Sequence, residues 1–134
     1  MLKPIHLVLL SAAAIPSLAL AQTPSAAEIV SRIAAHAGVQ PAADKTVDTF
    51  KSGDPTAPVK GITVTMMATL DVLRAAVDRG DNFIITHEPT FYSHRDTLGV
   101  LQKENDAVLA EKQRFINDHG LVIWRFHDTP HMMA

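Results

Sequence analysis

The chain has 134 residues, 47% of them hydrophobic, enough for one domain with a real core. Its formal net charge of −2 argues against a nucleic-acid partner held by phosphate contacts. It contains no cysteine, which excludes disulfides, thiolate metal sites and cysteine nucleophiles. Any transition-metal site must therefore use His, Asp and Glu.

Residues 1–21 read as an export signal. Lys3 gives a short basic start, residues 7–20 (LVLLSAAAIPSLAL) form an apolar run broken by Pro16, and Ala19-Leu20-Ala21 offers the small-x-small pattern of a cleavage site before Gln22. The run is short for a span of about 20 residues. The expectation is cleavage, no stable membrane anchor afterwards, and a periplasmic or secreted product. Residues 22–134 are then a single α/β metal-binding domain, and whether it is truncated stays open.

Ser25 and Glu28 form a capping-box pattern, and Ile29, Val30, Ile33 and Ala37 follow at helical spacing up to Gly38. His36 is read as a surface residue. Residues 40–59, punctuated by Pro41, Gly53, Pro55 and Pro58, predict an irregular connection with a short extended piece over 47–50. Residues 61–67 (GITVTMM) predict a strand, with Met66 and Met67 in the core. Thr69 caps a helix whose buried stripe is Leu70, Leu73, Ala76 and Val77, ended by Gly80. Residues 83–86 (FIIT) are a buried strand stopped by His87-Glu88-Pro89, since proline cannot continue a central strand.

Residues 94–99 predict a polar loop, and residues 104–119 a helix with Val108, Leu109, Lys112, Phe115 and Ile116 facing inward and His119 in its last turn. Residues 121–126 (LVIWRF) are a third strong strand, ending in His127-Asp128-Thr129-Pro130-His131. Arg125 stands out inside that apolar run; an edge, a partner carboxylate or a ligand would each explain it. Strands alternating with helices predict an α/β fold, a two-layer or three-layer sandwich with a mainly parallel sheet built from βαβ units.

In such a sheet the C-terminal ends of the strands share one edge, where ligands bind. His87, Glu88 and His127 surface there, and neighbouring strands are about 4.8 Å apart. His87, Glu88, His127, Asp128 and His131 are the candidate metal ligands, with Glu88 also the candidate catalytic base. Imidazole mixed with carboxylate suits one or two divalent transition metal ions: Zn, Fe, Mn, Co or Ni. Phe91 and Tyr92 read as a hydrophobic wall and Trp124 as core. No phosphate-binding glycine loop or serine nucleophile elbow is present.

Three stretches in order carry a family resemblance: residues 48–62 (DTFKSGDPTAPVKGI), 69–92 (TLDVLRAAVDRGDNFIITHEPTFY) and 115–128 (FINDHGLVIWRFHD). Together they resemble the NIF-three-like dinuclear metal-centre proteins, some described as type-2 GTP cyclohydrolase homologues. The resemblance runs from about residue 27 to residue 131. It implies that His87 takes the first histidine of the family's His-His-Pro motif, Glu88 the second, and His127 the histidine that follows the next strand. His131 falls where the family has a bridging aspartate, for which Asp128 is the alternative. The family continues into a second half that adds a further His and Glu and assembles into hexameric rings; nothing in this sequence matches that half.

The expected function is a divalent-metal-binding α/β protein of this type, acting as a metal-dependent hydrolase on a small-molecule substrate, with homo-oligomer formation open. Two alternatives stand beside it: a non-catalytic exported metal-binding or interaction module, and an inactive fragment lacking the second half of the site.

Overall fold

The computed structural model describes residues 22–133. The expected export signal over residues 1–21 lies outside the described residues. The elements run in the order α1 (Ala26–Ala37), β1 (Phe50–Ser52), β2 (Ile62–Thr65), α2 (Leu70–Asp78), β3 (Phe83–Thr86), α3 (Gly99–Lys103), α4 (Ala107–Asp118), β4 (Val122–Arg125) and α5 (Asp128–Met133). They form an α/β sandwich around one four-stranded sheet of order β1-β4-β3-β2.

The three expected strands are parallel: β2 pairs with β3 from Ile62↔Phe83 to Thr65↔Thr86, and β3 with β4 from Phe83↔Val122 to Thr86↔Arg125. The fourth, β1, is antiparallel to β4 with a register shift between Phe50 and Ser52. It lies in the stretch expected to be irregular and overlaps the extended piece read there at Phe50. With three residues of half-buried pattern, its alternation is too short to register as a strand in sequence.

Successive strand residues point to opposite faces, so each central strand serves two cores. On one face Phe83, Ile85, Val122 and Trp124 pack with Ala26 and, half-buried, Ile29, Val30 and Ile33 of α1. On the other, Ile84 and Ile123 pack with Leu73 and Ala76 of α2 and Ile116 of α4. Helices on both faces make three layers. β3 and β4 are buried at every position, which is why they read as apolar runs with Thr86 and Arg125 as their polar members.

Helix ends follow the local chemistry. Ser25 and Glu28 complete the capping box at α1: the Glu28 backbone N–H donates to Ser25 Oγ at 3.3 Å, and the Ser25 N–H to Glu28 Oε2 at 2.7 Å. Thr69 caps α2 and Asp106 caps α4 through backbone N–H groups of Val72 and Leu109.

Several expectations are corrected. The helix expected over 104–119 is α4, which starts at Ala107; the unexpected element is the short α3 before it, with Asn105 between the two at a positive φ of 51°. Val108 is 71% exposed rather than inward-facing. Met66 and Met67 are exposed rather than in the core: they follow the end of β2, which is an edge strand of the sheet. The polar tail after β4 becomes α5. His36 and Trp124 sit as read, at the surface and in the core.

Candidate metal centre

The site forms where β3 and β4 end. Their ladder continues past the strands: the His87 and Glu88 N–H groups donate to Thr65 and Met66 carbonyls at 3.1 and 2.8 Å, and the Phe126 N–H to the Thr86 carbonyl at 2.9 Å. The backbone at His87 is therefore fixed on both sides. Two residues beyond Arg125, His127 leaves the sheet and the chain turns into α5.

Asp48, just before β1, makes that turn. Its Oδ1 accepts the N–H groups of His127 (2.7 Å) and Asp128 (2.8 Å). Its Oδ2 accepts the Thr129 N–H (2.8 Å) and Thr129 hydroxyl (2.7 Å). These are the N–H groups that a helix start leaves unpaired, here satisfied by a carboxylate from a distant segment. The helix then places His131 four residues after His127, on the same side.

His87, His127 and His131 consequently converge, with one potential ligand nitrogen from each lying within 4.8 Å of the others. Their ring centroids are 4.6 Å (His87–His127), 5.2 Å (His87–His131) and 4.7 Å (His127–His131) apart. Two imidazoles sharing one ion at a bond length near 2.1 Å have ring centres about 4.5–5.2 Å apart for bond angles from square to tetrahedral. All three separations fit.

The protonation pattern fits as well. His87 Nδ1 lies 3.2 Å from the Phe126 carbonyl oxygen, which only accepts, so Nδ1 carries the proton and Nε2 is a free lone pair. His127 Nδ1 lies 2.9 Å from Asp128 Oδ1 and is fixed in the same way. Metal-binding histidines are commonly oriented by such an outer carbonyl or carboxylate. Asp128 is thus placed behind His127 rather than among the convergent nitrogens. Burial raises its pKa, but hydrogen bonds from the Val47 N–H, His127 and the Thr46 hydroxyl outweigh this and hold it at about 2.

Glu88 is also placed outside the imidazole group. Its Oε2 lies 3.9 Å from Arg125 Nη2, with the glutamate side chain 42% exposed and the arginine fully buried. That ion pair accounts for only part of Arg125. Its Nε donates to the His87 carbonyl at 3.0 Å, and its Nη1 to the His94 carbonyl. One planar guanidinium therefore clamps both ends of the loop that carries the site. Phe91 packs against the α2–α4 core, whereas Tyr92 is 52% exposed.

Three groups escaped the sequence reading. Asp48 was visible only as part of a family-like stretch. Asp96, nearly buried, accepts the N–H groups of Thr90 (3.1 Å) and Phe91 (2.7 Å) and lies 4.0 Å from Lys51 Nζ. His94, read as the start of a polar loop, sets its ring edge-on to His127 at a centroid distance of 5.3 Å.

The fold has solved counterparts. A Staphylococcus aureus hypothetical protein, SA1388, superposes with a TM-score of 0.63 at 20% identity over 83% of this chain and 30% of its own. A Bacillus cereus protein related to NIF3 gives 0.64 at 18% identity over 81% and 29%. Reduced HcgD from Methanocaldococcus jannaschii gives 0.61 at 19% identity over 78% and 40%. The chain thus spans less than half the length of each. A comparison with curated proteins finds no match. The sequence profile of the Duf34/NIF3 (NGG1p interacting factor 3) family matches residues 24–116, from the approach to α1 into α4. With most of its length matched and the same fold in NIF3-related structures, this chain belongs to the DUF34/NIF3 family.

Proposed function

We propose that the chain binds a divalent transition metal ion through His87, His127 and His131 and uses it as a metal-dependent hydrolase on a small-molecule substrate. The observation that carries the reading is the convergence of three imidazoles, two of them held with Nδ1 protonated and Nε2 free. An all-nitrogen set favours ions such as Zn, Fe, Co or Ni over Mg or Ca. When bound, the ion supplies Lewis acidity at the end of the sheet.

The chain's own residues do the rest. Asp128 orients His127, the Phe126 carbonyl orients His87, and Arg125 holds the loop that bears His87. Glu88, 3.9 Å from Arg125 and partly open to solvent, would be the proton acceptor, at Oε2. Export to the periplasm or exterior is part of the proposal and rests on the sequence of residues 1–21 alone.

The test is metal content per chain, by plasma mass spectrometry on protein prepared without a histidine tag. Near-stoichiometric transition metal is expected, and His87→Ala should lose most of it while staying folded. Turnover of phosphoester, nucleotide or amide substrates that a chelator abolishes supports the hydrolase. Stoichiometric metal without turnover reduces the reading to metal binding. Absence of metal after incubation with zinc, iron, cobalt and nickel refutes it.

A further inference from the structure

We infer that His94 is a fourth imidazole ligand of the same centre, recruited from the loop between β3 and α3. The inference rests on the metal reading above and goes beyond its three convergent histidines.

The first support is distance. The His94–His127 centroid separation of 5.3 Å falls between the about 4.5 Å and about 5.5 Å expected for two imidazoles on one ion at angles of about 90° and about 120°, those of a five-coordinate ion. The edge-on arrangement leaves the two rings out of each other's way. His94 stands outside the three nitrogens that lie within 4.8 Å of one another, but it is exposed and among the described residues no hydrogen bond engages its ring nitrogens, so its ring turns toward them without breaking a hydrogen bond.

The second support is the backbone. Nε and Nη1 donate from different edges of one planar guanidinium, and they take the carbonyls of His87 and His94. Residues seven apart in sequence are thereby gathered above the end of β4, which itself leads to His127. A buried arginine in a central strand is costly unless its donors are used. Here two of them position histidine-bearing backbone.

The third support is the loop's conformation. Ser93 and Asp96 adopt positive φ angles of 61° and 55°, a region that non-glycine residues seldom occupy. Such conformations cost on the order of 1 kcal/mol or more and persist where surrounding contacts over-determine them. Those contacts are present: Asp96 binds the Thr90 and Phe91 N–H groups, its own N–H donates to the Ser93 carbonyl at 3.1 Å, and Ser93 Oγ lies 2.9 Å from Thr97 Oγ1. The turn at Ser93 brings the next residue, His94, back beside His127. A loop free to follow solvent would not need this construction. Iron, cobalt and nickel accept five or six ligands, so four imidazoles still leave a position for water or substrate.

Cobalt(II) titration of the whole untagged chain tests this. Affinity and the visible d–d band, which reports ligand number and geometry, are followed for wild type, His94→Ala and the neighbouring control Arg95→Ala. X-ray absorption counts the imidazoles. Expected is a four-imidazole signature in wild type and Arg95→Ala, and three in His94→Ala, with affinity reduced roughly tenfold or more. The thermal midpoint of metal-free His94→Ala should match wild type, because the ring is exposed and unbonded. Wild-type affinity and an unchanged band in His94→Ala overturn the role of His94 and leave the three-histidine site standing. Failure of wild type to bind cobalt overturns the metal reading itself.

Discussion

Asp128→Asn separates the structural from the metal-binding consequences of the carboxylate behind His127. In the folded chain this group accepts from the Val47 N–H at 2.8 Å, the Thr46 hydroxyl at 3.0 Å and His127 Nδ1 at 2.9 Å. Burial opposes its ionisation, yet those donors hold its pKa at about 2, against an ordinary 3.8. The gap corresponds to about 2 kcal/mol in favour of the ionised folded form. Because the folded pKa is depressed, this stability is fully present above the unfolded value and is lost as pH falls from about 5 toward 2. Asparagine keeps the shape but not the charge, so at pH 7 it should cost about 2 kcal/mol, or roughly 10 °C in thermal midpoint for a domain of this size. Denaturant unfolding of both proteins at pH 7 and near pH 2.5 checks the sign: the difference should shrink markedly at the lower pH, where the wild-type carboxylate begins to protonate. Metal affinity at pH 7 should fall roughly 10-fold to 100-fold, the usual effect of removing an outer partner of a ligating histidine. A stability gap of the same size at both pH values would refute the electrostatic account. Unchanged metal affinity would refute the role of Asp128 in orienting His127.

Arg125→Lys keeps the buried charge and loses the planar guanidinium whose Nε and Nη1 serve the His87 and His94 carbonyls. It should destabilise the fold by about 1–3 kcal/mol and weaken metal binding; denaturant titration with metal-content measurement would show no change in either if the clamp were incidental. Gly53 follows β1 at a φ of 82°, and a Cβ there would run into the Leu121 carbonyl and the Val122 Cα at the start of β4. Gly53→Ala should therefore lose about 2 kcal/mol or more, read as a lower thermal midpoint, whereas a neutral result would mean that the β1–β4 approach is looser than described.

The elements legible in the sequence are those whose periodicity is enforced by burial. β3 and β4 lie between two helical layers, so every position is apolar or, at Thr86 and Arg125, internally bonded. α1 and α2 carry a cap and an apolar stripe in the expected places. β1 was legible only as a short extended piece ending at its first residue, because an edge strand of three residues makes its identity through pairing with β4, a long-range fact. α5 was illegible because its cap is not the residue before it but Asp48, some eighty positions earlier. The site shows the same division. His87, Glu88 and His127 could be placed at strand ends from sequence alone. That Asp128 and Glu88 would bind Thr46, Val47 and Arg125 instead of joining the imidazoles depended on partners that spacing does not reveal.

Those partners explain why the convergent cluster is built from histidines. Two adjacent parallel strands present only a few side chains at their ends, and here the carboxylate beside His87 is drawn toward the buried charge of Arg125, in register with Thr86. A third nitrogen must come from the next element. α5 supplies it at His131, and α5 is aimed by Asp48, while the same segment uses Thr46 and Val47 to fix Asp128 and through it His127. The short connection into the antiparallel edge strand therefore sets the orientation of two of the three convergent imidazoles without contributing a ligand. A site organised in this way has its specificity stored in carboxylates that hold backbone, so loss of Asp48 or Asp128 should disorganise the histidines more than loss of the exposed Glu88.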